Sequence, residues 1–539
     1  MLLTPGTALD TAADGNWQRM ETAGHAAIWC GFLFVRGWKA GRDSVEQLLR
    51  TLQQAGAPEA LAQAKGSFAI LVHEKDTKQT FCSVDPFGLM RLFVGGNCVS
   101  DDLFALVRQI GHDEDRLDRV AIASFLRFGF YGLGRTVDRR IRSLAGDRIL
   151  LLSPGSDSTE IAKARPSAGA DFDWDLYVRD VITAIDGERV SLDLTGGYDT
   201  RLLAASLVGR TRAVVECATS GQDGNEDRRG ATRIAQILSF PHFEMQHRVG
   251  GLEGRLPTLL RLTNGQSAIL TYDSIFQFTV ARSERGATLS FSGVGGELWK
   301  DIFWLQDFPF LSGRPALDRF YRLRIEPRAQ PTAHLSQEFL GAYAAAGVEW
   351  REAMQSRFGA LGRTAAYDSI IGYLRIPAIT GPTVSASVHC GVPTFFPLLD
   401  SDGVKASMAM RKRERLFSRW QRRTIHRKAP ELSPPRTTDG LSARVGAAAL
   451  GDLPFYAANK TARLAQKIVQ KLGLPDLIRL SLDDPHTLET GKNLAAATHA
   501  FQRLREVKIL AATAEPQALG RIAFDRLLTA GLTIAEISD

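Results

Sequence analysis

The chain reads as an α/β protein: a β-rich N-terminal unit, then a parallel sheet alternating with helices, then a helical C-terminal part. Three observations predict this. Residues 25 to about 153 hold short apolar runs separated by turn residues. From Leu176 the pattern changes to apolar strands alternating with amphipathic helices. After about residue 310 the periodicity is mostly helical, with Leu, Ala and Arg dominating residues 455–539.

The N-terminal unit is clearest at Gly66-Ser67-Phe68-Ala69-Ile70-Leu71-Val72, a buried strand, followed by the charged turn Glu74–Lys78 and the return strand Thr80–Asp85. Pro166 to Asp173 has the polarity of a linker. Beyond it Val190–Leu194 and Ala213–Ala218 read as strands, and Leu202–Val208 and Asp227–Ser239 as helices. Such alternation places a ligand outside the carboxyl ends of the strands. Boundaries of 1–164, 174–445 and 446–539 follow.

A length of 539 residues suggests about two to three domains. No stretch approaches the roughly 20 apolar residues of a membrane span. Met1–Asp10 lacks a basic region followed by an apolar core, so no secretory signal is expected. Cys30, Cys82, Cys98, Cys217 and Cys390 show no C-x-x-C pairing, which argues against a zinc site or a disulfide framework and for a reducing cytoplasm. Much of the net charge of +7 gathers between Arg411 and Lys428. A solvated helix face, a phosphate or acidic-substrate surface and, last, a nucleic-acid surface compete to explain it.

The chemistry concentrates in Leu194-Thr195-Gly196-Gly197-Tyr198-Asp199-Thr200-Arg201, between a strand and a helix. Two glycines turn the backbone tightly and aim N–H groups at an anion, the helix N-terminus adds its dipole, and Thr195 and Thr200 add hydroxyls. Asp199 would repel a phosphate unless a divalent cation lay between them, which implies Mg²⁺ with ATP. The string lacks a Walker Lys and a third dinucleotide glycine. It resembles instead the S-G-G-x-D-S loop of ATP pyrophosphatases. A second strand candidate, Ala287–Phe291, runs into Ser292-Gly293-Val294-Gly295-Gly296-Glu297, so that Glu297 and Asp199 could face one Mg²⁺ if the two strands are neighbours.

In this order the parts resemble the asparagine synthetase-like family of ATP-dependent amide ligases, which includes β-lactam and lasso-peptide macrolactam synthetases, over most of the chain to about residue 445. Gly66-Ser67-Phe68-Ala69 and Asp85-Pro86-Phe87-Gly88 look like that family's G-x-F-A strand and D-x-x-G turn. Ser292–Glu297 resembles its S-G-D-G-G-D-E, and Pro397-Leu398-Leu399-Asp400 its P-F-L-D. Pro430, Arg436 and Gly440 match the spacing of its late loop. The resemblance implies an Ntn-hydrolase-like sandwich of glutaminase type ahead of an ATP pyrophosphatase (adenine nucleotide α hydrolase-like) domain. It also implies adenine on the strand bearing Val215 and Cys217, followed by an acidic segment at Asp227 and Arg228. Pyrophosphate would be held by Thr195, Gly196, Gly197, Asp199, Thr200, Ser292, Gly293, Gly295 and Gly296.

Two departures qualify the expectation. The chain starts Met1-Leu2 where a glutamine-hydrolysing relative has a nucleophilic Cys, so a degenerate N-terminal domain and an amine donor are expected. The late-loop Lys falls on Thr438, leaving Arg436, Arg427 or Lys428 to replace it, with Tyr367 and His389 as candidates for the base. The expected reaction is AMP-forming ligation of a carboxylate to an amine on a small molecule or peptide, with a peptide-processing partner as a further expectation. A tRNA-modifying ATP pyrophosphatase and a silent nucleotide-binding scaffold are the alternatives.

Overall fold

The computed structural model describes residues 1–3, 15–111, 114–164, 172–221, 226–248, 250–304, 307, 310–326, 332–437, 440–455, 457–458, 461 and 485–538. It is a mixed α/β fold with two antiparallel sheets followed by a parallel one. The first antiparallel sheet orders Thr159–Ala162 (β10), Arg148–Leu152 (β9), Gln79–Val84 (β5), Lys65–Glu74 (β4), His25–Phe34 (β3) and Gln18–Glu21 (β2). The second orders Leu2–Leu3 (β1), Cys98–Ser100 (β7), Phe93–Gly95 (β6) and Ile141–Ser143 (β8).

Strand alternation explains why β3 and β4 are apolar almost throughout. Ile28, Cys30, Phe32 and Phe34 of β3 join Ala69 and Leu71 of β4 in the core shared with the second sheet. Ala27, Trp29 and Leu33 join Phe68, Ile70 and Val72 on the opposite face, under Val45, Leu48 and Leu49 of helix Arg42–Ala55 (α1). Both faces are covered, so both must be apolar. The turn between β4 and β5 falls where charge and polarity predict it, with Lys78 at φ 58°.

The D-x-x-G turn has a local cause: the buried carboxylate of Asp85 accepts the backbone N–H groups of Phe87, Leu89 and Met90 at 3.1, 3.1 and 2.8 Å. Gly146 presses on the same turn, where an added β-carbon would meet Pro86 at 2.5 Å.

The parallel sheet orders His242–Met245 (β13), Val214–Ser220 (β12), Val190–Asp193 (β11), Leu289–Phe291 (β14) and Thr394–Phe395 (β15). Helices Tyr198–Leu207 (α2) and Glu226–Leu238 (α3) follow β11 and β12. Ile269–Glu284 (α4) precedes β14, and Ile376–His389 (α5) precedes β15. The two-residue β15 lay below the threshold of sequence periodicity. It is recruited by pairing with β14 and by Phe395 packing on Phe32 of β3 at 5.1 Å between ring centroids.

The P-L-L-D string is a joint between the units. Asp400 caps helix Ser401–Ala409 through the N–H groups of Asp402 and Gly403, both at 3.0 Å. Lys65 of β4 reaches across to Asp402 at 2.7 Å and Ser401 at 2.9 Å.

Helices Arg419–Lys428 (α6), Ala495–Glu506 (α7) and Arg521–Ser538 (α8) lie in the helical C-terminal region. α8 is buried along most of its length and ties both units together. Arg526 donates to the carbonyls of Leu126 and Arg127 at 2.9 Å each, while Asp525 accepts the N–H groups of Leu270 and Thr271 at 2.9 Å, capping the N-terminus of α4. Among the described residues no helix is long and apolar enough to cross a membrane.

Candidate functional site

The loops Thr195–Thr200 and Ser292–Gly296 leave neighbouring parallel strands, because β11 pairs with β14 in the register Val190↔Leu289 through Leu192↔Phe291. They come out side by side at the carboxyl edge. A β-carbon on Gly293 would lie 3.0 Å from those of Asp199 and from Cγ2 of Thr200, and one on Gly296 would lie 2.3 Å from Cγ of Asp199. Gly295 turns at φ 91° against Leu399. Glycine is required by contact at Gly293 and Gly296, and at Gly295 by its positive φ as well. On the other side, a β-carbon on Gly230 of α3 would lie 2.6 Å from Cα of Gly196.

Hydroxyls brace the first loop. The Thr195 N–H donates to Oγ1 of Thr200 at 3.0 Å, the two hydroxyls lie 3.1 Å apart, and Gly197 N–H donates to Oγ1 of Thr195 at 3.2 Å. Gly197 opens α2 without a side-chain cap, leaving the first turn, which carries Asp199, as a place for an external acceptor.

Asp199 is held by two donors. Lys300 Nζ lies 2.6 Å from Oδ2 and Gln421 Nε2 lies 2.8 Å from Oδ1. Glu297 accepts the Gly295 N–H at 2.9 Å, and burial, reinforced by the charge of Asp199, pushes its carboxyl above the usual range. Among the described residues no group of three or more His, Cys, Asp and Glu side chains could hold a metal ion. Asp199 and Glu297 stand on the two adjoining loops.

The loops open into a cavity of about 410 Å³ lined by β11, β12 and β14 ends and by faces of α4 and α5. Thr195, Asp199, Thr200, Ser292 and Gly293 line it. Gly196, Gly197, Gly295 and Gly296 shape the loops behind that surface. β12 meets the cavity at Ala218, Thr219 and Ser220, whereas Val215 and Cys217 lie deeper in the strand. Past β12, Arg228 pairs with Glu244 at 2.5 Å, and burial raises the Asp227 carboxyl.

Sequence reasoning passed over the helical wall. Ser274, Phe278, Thr279 and Arg282 of α4 and Thr380, Thr383 and Ser387 of α5 reach the cavity from 80 to 190 residues beyond the first loop. Arg282 pairs with Asp193 and donates to Oγ of Ser290 at 2.6 Å. Local pattern carries no sign of these positions, since a hydroxyl on a helix face reads as ordinary surface.

The proposed catalytic side chains lie elsewhere. Arg436 pairs with Asp452 at 3.2 Å and covers the ring of Phe455 at 3.7 Å. Arg427 and Lys428 both pair with Asp175. Tyr367 is buried, donates to Asp307 at 2.6 Å and stacks on Phe320; burial pushes its hydroxyl up to about 12, outside the range of a working base. His389, at the end of α5, lies 3.8 Å from Asp101, which also takes the Met1 amine. None of the five lines the cavity. Thr438 falls outside the described residues.

The late segment nevertheless packs on the first loop. Arg201 of α2 is buried and donates to the carbonyls of Gly196 at 2.7 Å and Pro435 at 2.6 Å, while the Tyr198 hydroxyl donates to the Ser442 carbonyl at 3.0 Å.

All five thiols are pushed above their ordinary pKa by burial, Cys82 and Cys217 to about 12 and Cys390 to about 11. A nucleophilic thiolate is therefore disfavoured at each.

No curated protein gives a significant match to the chain. Residues 36–160, which contain α1, the strands β4 to β9 and the start of β10, match the family model of a glutamine amidotransferase domain. The N-terminal unit is thus an amidotransferase-type, Ntn-like domain.

Proposed function

We propose that the protein is an AMP-forming amide ligase that couples a substrate carboxylate to an amine without hydrolysing glutamine. The observation that carries this reading is the contact of the two glycine loops at Asp199, over a cavity at the carboxyl edge of a parallel sheet.

In this reading ATP is a co-substrate. The substrate carboxylate attacks the α-phosphorus, and pyrophosphate leaves towards the braced N–H groups and hydroxyls of Thr195–Thr200 and Ser292–Gly296, with Asp199 and Glu297 as the carboxylates that would hold Mg²⁺. Mg²⁺ would add charge stabilisation to the leaving phosphates. Fixed donors need no reorganisation as that charge develops. The amine then attacks the acyl carbon and AMP departs. The hydroxyl-lined wall of α4 and α5 offers the space for the acid and amine, either on one peptide, as in macrolactam formation, or on two small molecules. An amine donor accords with five thiols held in their protonated form.

The test is to incubate the protein with ATP, Mg²⁺ and pools of amino acids and short peptides, and to separate AMP, ADP, pyrophosphate and phosphate. AMP and pyrophosphate that appear only with an acid and an amine support ligation; ADP and phosphate would sink it, and a requirement for tRNA would select an RNA-modifying pyrophosphatase. The pairing of Arg436, Arg427 and Lys428 away from the cavity favours a second reading, a silent nucleotide-binding scaffold. ATP binding without any release would select that one.

A further inference from the structure

The phosphate end of the cavity has a charge problem. Asp199 lines it and Glu297 stands on the adjoining loop, so a polyphosphate entering there would bring further negative charge close to an existing carboxylate. Arg282 lines the cavity but is tied to Asp193 and Ser290. Arg201 lies beneath the first loop, bonded to carbonyls.

Lys300 is differently placed. It follows the turn Gly296–Trp299 that carries Glu297, its side chain is 18 % exposed, and its ammonium rests on Oδ2 of Asp199 at 2.6 Å. Its root is anchored: the Lys300 carbonyl accepts Nη2 of Arg415 at 2.9 Å, and Arg415 is buried on Asp368 at 2.7 Å. The arm is four flexible methylenes long, whereas the backbone beneath it is fixed.

Resting on the nucleotide-site reading above, we propose that Lys300 is a phosphate-binding residue: its ammonium neutralises Asp199 in the free protein and moves onto the terminal phosphates of ATP when nucleotide enters. It would thereby supply the positive charge that Arg436, Arg427 and Lys428, paired with Asp452 and Asp175, do not bring to this cavity. Its action is on charge and position; no bond is made or broken.

The test is calorimetric titration of ATP and of AMP, in EDTA and again with Mg²⁺, into the full chain and two variants. Lys300→Met is expected to weaken ATP at least tenfold in EDTA and AMP less than twofold, because AMP lacks the terminal phosphates. Asp199→Asn is expected to tighten ATP severalfold in EDTA, since it removes a repelling charge and releases the ammonium. Equal losses for ATP and AMP in Lys300→Met, or no change in either, would overturn the assignment while leaving a nucleotide site intact. If Lys300→Met does not fold, Asp199→Asn decides: no gain in ATP affinity rejects the role of Lys300. A wild-type chain that binds neither nucleotide, with or without Mg²⁺, removes the nucleotide reading itself.

Discussion

Gly296 and Asp199 touch so closely that a β-carbon on the glycine would lie 2.3 Å from the carboxylate carbon. The contact joins two loops almost a hundred residues apart. Gly296→Ala is expected to displace Asp199 from Lys300 and Gln421 and to weaken ATP at least tenfold, read by titration. The change is confined to the loops, so the far-ultraviolet dichroism should match wild type.

Asp199→Ala removes the carboxylate common to both loops. Pyrophosphate release should fall below detection while the thermal midpoint shifts by only a few degrees. Retained release in that variant would show that Asp199 has no part in the chemistry.

Substitutions at the side chains outside the cavity should separate stability from binding. Tyr367→Phe leaves the buried Asp307 without its 2.6 Å donor, an effect of about 1–3 kcal/mol on unfolding by urea. Arg436→Ala and Lys428→Ala break ion pairs with Asp452 and Asp175. All three should leave ATP affinity within twofold of wild type.

The cysteines give a pH test. Labelling needs the thiolate, and burial raises Cys390 to about 11. Its rate with a soluble maleimide should therefore be slow at pH 7 and climb about tenfold per pH unit up to that value. Cys30 and Cys82, buried in the N-terminal core, should react only on unfolding. Rapid labelling of either at neutral pH would contradict the burial, and would reopen thiol chemistry in the amidotransferase-type unit.

Asp525 of α8 caps α4 across the chain. Asp525→Ala strips acceptors from the N–H groups of Leu270 and Thr271 and from the Thr271 hydroxyl, and is expected to cost about 2 kcal/mol. Asp525→Asn, which keeps one oxygen, should recover part of it. Denaturant midpoints of the two variants check the order.

The local signals were strong where one short segment held the whole cause. A continuous apolar run and its return after a charged turn marked β4 and β5, glycines beside a strand end marked both loops, and the fold class followed from the change of period near Leu176. Asp400 was legible as part of a motif, but its work as a helix cap beside Lys65 was not, because the lysine lies over 300 residues away.

What the sequence by itself determined is the order of strands, loops and helices, and which residue types stand at the strand ends, since these depend on neighbours within a few positions. Which strands lie side by side, and therefore which charges meet, was decided only by the tertiary structure. Lys300 reads as an ordinary lysine until β14 pairs with β11 and brings it to Asp199, and Arg427 and Lys428 read as candidates to replace the late-loop lysine until α6 turns them to Asp175. Electrostatic partnership depends on distance in space, and no spacing along the chain encodes it.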